Sequence, residues 1–184
     1  MAAGLFRERG YDATSMQEIA DRMGILKGSV YHYVKTKEDL LWMVVEPPLL
    51  ELVTNAQEIL TEDGRPLSER LRRAMIAHAE SFEEHYPHMF VMTRENGETL
   101  SAKRRQDLDG LRRKYFQVWR KAIVEGQKTG EIRSDVDPSI AVHGIFGMIN
   151  WMFRWFKTGG RASARDVADQ FATIAIDGLL PGGS

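Results

Sequence analysis

The 184-residue chain is 43% hydrophobic, enough for a core in one large domain or two small ones, and it has no cysteine, which excludes disulfide frameworks and thiolate metal sites. Its 25 basic and 26 acidic residues leave a formal net charge of −1, so a nonspecific nucleic-acid coat, which needs a basic surplus, is excluded as well. The start, Met1 to Arg7, lacks a signal peptide's basic flank and apolar run, and the most apolar stretch, Ile140 to Phe156, is interrupted by His143, Asn150 and Arg154. A soluble, cytoplasmic protein without membrane contact is expected.

Helical periodicity runs throughout, and no alternating β-branched run bounded by hairpin turns occurs, so the fold class is all-α with about nine helices. Leu5 and Phe6 belong to a helix stopped by Gly10. A second helix starts at Thr14-Ser15, where Ser15 with Glu18 and Thr14 with Gln17 both have capping-box spacing, and it closes at Gly24. The segment Ile25 to Val34 offers a short third helix, giving helix, tight Gly turn, helix. Thr36 caps a longer amphipathic helix through Leu60, with a kink or break expected at Pro47-Pro48 and a domain boundary there. The first domain is then 1–47 and the second 48–184. Within the second, helices are expected over Leu67 to Glu84, from Pro87 to about Leu100, from Ser101 to Gly130, from Asp137-Pro138 to about Lys157, and over Ser163 to Leu180.

The run Gly10 to Gly24, followed by Lys27-Gly28-Ser29-Val30-Tyr31-His32-Tyr33-Val34-Lys35-Thr36-Lys37-Glu38-Asp39-Leu40, closely resembles the signature of the tetracycline-repressor (TetR) family. Its physical sense does not depend on the name. Small residues at the start of a short second helix let the backbone approach a major groove, while aromatics behind it anchor the helix and reach phosphates. The resemblance implies that Lys27, Gly28, Ser29 and His32 face bases, that Tyr31, Tyr33 and Lys37 contact phosphates or pack, and that Thr14 or Ser15 offers a hydroxyl and free amides to a phosphate. Double-stranded operator DNA is the partner so implied. The chain departs from the family pattern at its start, where members usually carry a longer first helix and often a basic arm.

Beyond Pro48 the likeness is architectural. The helix containing His143 to Phe156 is apolar nearly all round, so one face must meet something outside its own domain. In the family that partner is a second subunit, which implies a homodimer built on Gly144, Gly147, Trp151 and Trp155 with Phe171 and Ile174 of the last helix. An effector pocket is expected between the helices of the second domain, where Phe82, Met89, Phe90, Tyr115, Trp119, His143, Phe146 and Asn150 converge, joined by His85, Met92 and Phe116. Arg94 is a candidate for neutralising an anionic ligand. The Asn150-Trp151 and Arg154-Trp155 pattern weakly resembles members that answer to acyl-CoA thioesters and lipid catabolites, so a small hydrophobic effector of that class is expected.

No glycine-rich phosphate loop, nucleophile elbow or paired metal signature occurs, so neither enzymatic activity nor a cofactor is expected. His85 and His88 bracket Tyr86-Pro87, but a proline between them disfavours a shared helical face, so no metal is expected. The rival reading is a helical adaptor that uses its Trp-rich helix for another protein and binds no specific DNA.

Overall fold

The computed structural model describes residues 1–94, 99–157 and 159–181, apart from the side chains at 86, 92–94 and 153. Among these it contains nine α-helices and no strand: α1 (Ala2–Arg9), α2 (Met16–Met23), α3 (Lys27–Val30), α4 (Lys37–Leu60), α5 (Leu67–Glu84), α6 (Tyr86–Arg94), α7 (Ala102–Thr129), α8 (Pro138–Trp151) and α9 (Ala164–Leu179). A single 3-10 turn, Met152–Arg154, follows α8. None of the helices is long and apolar enough to cross a membrane.

Contacts gather the chain into two compact units, Met1–Leu50 with His85–Gly110, and Glu51–Glu84 with Leu111–Ser184. This differs from a single cut at Pro47, because α6 packs on α1 and the start of α7 meets the start of α4. Buried Met89 and Val91 of α6, together with Leu5 and Phe6 of α1, supply apolar surface that three short helices alone could not.

In the first unit, Ser15 forms a full capping box with Glu18 and settles where α2 begins, while Thr14 lies one residue outside it with its hydroxyl donating to the Gly10 carbonyl at 2.7 Å. Gly24 ends α2 with φ of 70°, a left-handed conformation that costs glycine nothing. The helix after this turn is shorter than the apolar run Ile25 to Val34 predicts. After Val30 the chain tightens into turns, with Tyr33 N donating to Val30 O at 3.0 Å. α4 runs unbroken through Pro47 and Pro48, where a break is expected from the missing amides. Buried Val44, Val45, Leu49, Leu52 and Val53 on either side of the prolines hold its inner face.

In the second unit, α5 buries Leu67, Leu71, Ala74, Met75, His78, Ala79 and Phe82 at helical spacing, and its main partner is α9, which buries Ala164, Val167, Ala168, Ala172 and Ile176. Alanines let the two axes approach, and Arg72 with Asp169 (2.7 Å) and Arg165 with Glu80 (2.8 Å) fringe the seam. α8 starts on Asp137, whose carboxylate accepts from the Ser139 and Ile140 amides, with Pro138 in the first turn.

Gly126 of α7 is a close-approach glycine: a Cβ there would sit 2.2 Å from Leu67 Cδ2 and 2.6 Å from Ile132 Cγ1, both in buried residues. Helix propensity alone would make Gly126→Ala stabilising by about 1 kcal/mol. Overpacking opposes it with about 1–3 kcal/mol. A net loss of stability is therefore expected, read as a lower urea midpoint at unchanged slope.

Candidate DNA-reading surface and effector core

The reading surface is assembled in the first unit. Arg9 with Glu18 and Arg22 with Glu8 cross between α1 and α2, so these basic residues are matched within the fold. Lys27 and Lys35, by contrast, are exposed and have no ion pair among the described residues. A near-neutral chain therefore presents free cations along its recognition segment. Around them Leu26 is 80% exposed and Tyr33 81%, with Tyr31 and His32 also turned to solvent, while Val30 and Val34 point inward and anchor the segment. Gly28 is helical, and where a Cβ would stand there is nothing within 4 Å. Nothing in the chain's own packing requires glycine at that position.

Lys37 is placed differently from the exposed lysines. Its Nζ donates to the carbonyls of Tyr11 (2.9 Å), Thr14 (3.0 Å) and Asp12 (3.3 Å) and lies 4.3 Å from the Tyr11 ring centroid. All three ammonium protons are thus engaged on the turn between α1 and α2, which favours packing over a phosphate contact among the roles implied for it. Ser15 is exposed at the start of α2, where the first amides of the helix have no intrahelical partner.

The second unit holds a buried polar core whose centre, His78, sequence patterning did not find. His78, 3% exposed on α5, lies with its Nδ1 3.1 Å from the Tyr115 hydroxyl of α7, and Asn150 of α8 is near enough to favour its protonated form slightly. Aromatic rings wall it in: Phe146 stacks on Tyr115 at 4.9 Å and meets His78 and Trp119 edge-on, and Phe82 stacks on His78 at 6.2 Å. The core therefore brings together Phe82, Tyr115, Trp119, Phe146 and Asn150 of the expected pocket. His143 is exposed and rests on Phe116 at 4.8 Å, at the margin of the group. Met89, Phe90 and His85 belong to the first unit, where Phe90 lines a hollow with Phe6 and Tyr11. The side chains of Met92 and Arg94 lie outside the described residues. A lone histidine within an amphipathic helix gives no signal of its partners, and only the meeting of α5, α7 and α8 reveals His78.

Nothing in this core is charged at neutral pH. Burial lowers His78 to about 4 against the support of Asn150, and burial raises the Tyr115 phenol. The Trp119 indole N–H, near enough to oppose that rise slightly, makes no hydrogen bond of good geometry, and the Ser81 hydroxyl one turn along α5 has no partner among the described residues. A histidine whose folded pKa lies below its ordinary 6.5 takes up its proton more readily in the unfolded chain, so stability is full above pH ~6.5 and falls as pH drops toward 4. The expected loss is about 2 kcal/mol by pH 5. Urea titrations between pH 7.5 and 4.5 should show this decline, and His78→Gln should start less stable but lose that part of the pH dependence.

Ile140 (70%) and Trp151 (57%) on α8, Trp155 (47%) just after the 3-10 turn and Ile174 (65%) on α9 are exposed. Gly144 and Gly147 are exposed between Ile140 and Trp151 along α8, with nothing within 4 Å of their Cβ positions, and Phe171 is half-buried with its ring 6.4 Å from that of Trp155.

Residues 1–42 match the family of bacterial regulatory proteins of the tetR type, and residues 64–179 match the tetracyclin repressor-like C-terminal domain. The HTH-type transcriptional repressor KstR2 of Mycolicibacterium smegmatis is 33% identical over 181 residues, covering 97% of this chain and 87% of that protein. The crystal structure of the regulator PfmR from Thermus thermophilus superimposes with a TM-score of 0.88 at 35% identity, over 98% of this chain and 97% of that one. AibR, in complex with isovaleryl coenzyme A and operator DNA, is similar at a TM-score of 0.80 and 28% identity, over 99% of this chain and 95% of that one. This chain belongs to the TetR family of bacterial transcriptional regulators.

Proposed function

We propose that this chain is a ligand-responsive repressor that binds a palindromic operator as a homodimer, and that a small hydrophobic effector releases it, either a lipid catabolite or the acyl end of an acyl-CoA thioester, whose carbonyl is uncharged although its coenzyme A carries phosphates. The observation that carries the DNA half is Gly28. An exposed glycine inside a helix costs about 1 kcal/mol relative to alanine and meets no packing need here, so its use lies in letting another surface approach the backbone. The same segment displays free Lys27 and Lys35 and exposed Tyr31, His32 and Tyr33, the donors and rings a groove and its phosphates accept. In this reading Lys27, Gly28, Ser29 and His32 face bases. Tyr31, Tyr33 and the start of α2 at exposed Ser15 hold phosphates, whereas Thr14, 1% exposed and bonded to the Gly10 carbonyl, only packs; Lys37 positions, and residues 1–47 are the reader for a sensor over 48–184.

Homodimerisation is supported by the same physical argument on α8. Gly144 and Gly147 are open and exposed on α8, and Trp151, Trp155 and Ile174 are exposed with Phe171 half-buried, the apolar surface a helix of a second copy would cover. Two readers must sit about 34–36 Å apart to enter successive major grooves, so an effector that favours another spacing disfavours DNA by linkage.

The effector class rests on the neutral core. Phe82, Tyr115, Trp119, Phe146 and Asn150 with His78 offer aromatic walls and neutral hydrogen-bonding groups, which suit an acyl or keto oxygen rather than a carboxylate. The isovaleryl coenzyme A carried by AibR has such a carbonyl.

A gel shift on the DNA upstream of its own gene, with and without a panel of acyl-CoA thioesters, tests the reading. Specific binding relieved by one thioester class is expected, whereas no specific shift at any salt concentration would sink the repressor and leave the adaptor. In the same assay Gly28→Leu should weaken binding at least tenfold while leaving stability unchanged or slightly higher. Sedimentation of Ile174→Glu should show a monomer where the parent is a dimer, with operator binding lost in parallel.

A further inference from the structure

Asp39, third residue of α4, uses its two carboxylate oxygens for two different tasks. Oδ2 accepts from the amides of Thr36 (2.8 Å) and Lys35 (2.9 Å), while the Asp39 amide donates to the Thr36 hydroxyl oxygen at 3.1 Å. This closes a capping box, and it also fastens the two residues that end the recognition segment, immediately after buried Val34. Oδ1 accepts from Arg104 of α7 at 2.5 Å, 65 residues away in sequence. The same guanidinium stands 3.7 Å from Glu38 and 5.8 Å from the Trp42 ring centroid, and the Ser101 amide donates to Glu38 at 2.9 Å.

An isolated exposed ion pair contributes little, because two long side chains lose freedom for a screened attraction. This arrangement differs in three respects. Arg104 and Asp39 are only 26% and 24% exposed, one guanidinium serves two carboxylates, and a backbone amide and an indole complete the set. The capping box does not need Arg104, since Thr36 and Lys35 already supply it. Arg104 therefore adds an anchorage of the recognition segment to the start of α7. Asp39 stays ionised throughout the working range, because Arg104 before any other group holds its carboxyl at about 2.

We propose that Arg104 is a positioning residue of the DNA reader: through Asp39 and Glu38 it fixes the end of the recognition segment without touching DNA itself. The inference rests on the DNA-reading function proposed above. It gives the first turn of α7 a hold on Lys35 and Thr36, which flank the exposed Tyr31 to Tyr33 surface. Because α7 is one continuous helix from Ala102 to Thr129, the residue so assigned shares an element with Tyr115 and Trp119 of the buried core.

The test compares the full-length parent with Arg104→Met, which keeps bulk without charge, and Arg104→Lys, which keeps charge without the fork. Two readouts are taken: affinity for the upstream duplex between 50 and 300 mM salt, and hydrogen exchange at the Lys35 and Thr36 amides. Arg104→Met should weaken duplex binding about tenfold at every salt concentration with an unchanged salt slope, and should speed exchange at both amides about tenfold. Arg104→Lys should recover part of each. A salt slope reduced by about one unit would overturn the proposal by making Arg104 a phosphate contact. Parental affinity in Arg104→Met would overturn it too. Should the parent bind no duplex, the DNA reading fails separately, and exchange alone decides: faster Lys35 and Thr36 amides uphold the positioning role, and parental protection overturns it.

Discussion

The first turn of α4 is the joint on which the reading head depends. Lys37 extends one way and spends its ammonium on three carbonyls of the turn between α1 and α2, while Asp39 extends the other way and fastens the two amides that end the recognition segment. A backbone carbonyl left unpaired in a tight turn, or an amide left unpaired at a helix start, is costly. A lysine and an aspartate two residues apart answer both needs at once. α3 has only four helical residues and could not hold its own geometry, since helices that short are unstable alone. Its orientation is imposed by its neighbours: Val30 and Val34 in the core, Gly24 at the turn before it and the Asp39 clamp after it.

This arrangement also resolves how a chain of net charge −1 can present a basic surface. Arg9 and Arg22 are paired with Glu18 and Glu8 at the surface, and Lys37 with carbonyls, so most cations near the recognition segment are already engaged by the chain itself. Lys27 and Lys35 are exposed and have no ion pair among the described residues. The useful quantity is the number of cations left free on one face, which a sum over the chain cannot give.

The second unit separates its tasks by the opposite faces of α8. Inward, Phe146 and Asn150 close on a histidine and a tyrosine that burial keeps neutral. Outward, Gly144 and Gly147 lie open beside exposed tryptophan and isoleucine. A helix apolar on all sides must be covered on all sides. The inner covering is visible as packed rings, and the outer one is what a second copy would supply. Among the described residues, Ser81 Oγ and Trp119 Nε1 are buried without a hydrogen-bond partner, which costs the unit stability.

Helix boundaries and the reading motif were legible in the sequence because local chemistry decides them. The Ser15 and Glu18 box, glycines at 10 and 24, the Thr36 cap and the Asp137-Pro138 start each act within four residues, where sequence spacing is spatial spacing. Even there, a choice between Thr14 and Ser15 as the cap needed the coordinates. That α8 is apolar nearly all round was readable as well, but which of its faces points outward was not. Tertiary contacts settled the rest. Met89 and Phe90 were grouped with the aromatic residues of the sensor by composition, yet α6 packs on α1, because burial follows available surface rather than residue type. His78 meets Tyr115 across 37 residues and Asp39 meets Arg104 across 65, and no local rule connects such pairs. Spacing along the chain was enough to say which segments are helices, and the run Gly10 to Leu40 enough to point to the family; which polar side chains face one another was left to the fold, because those partners are chosen by the packing of distant helices.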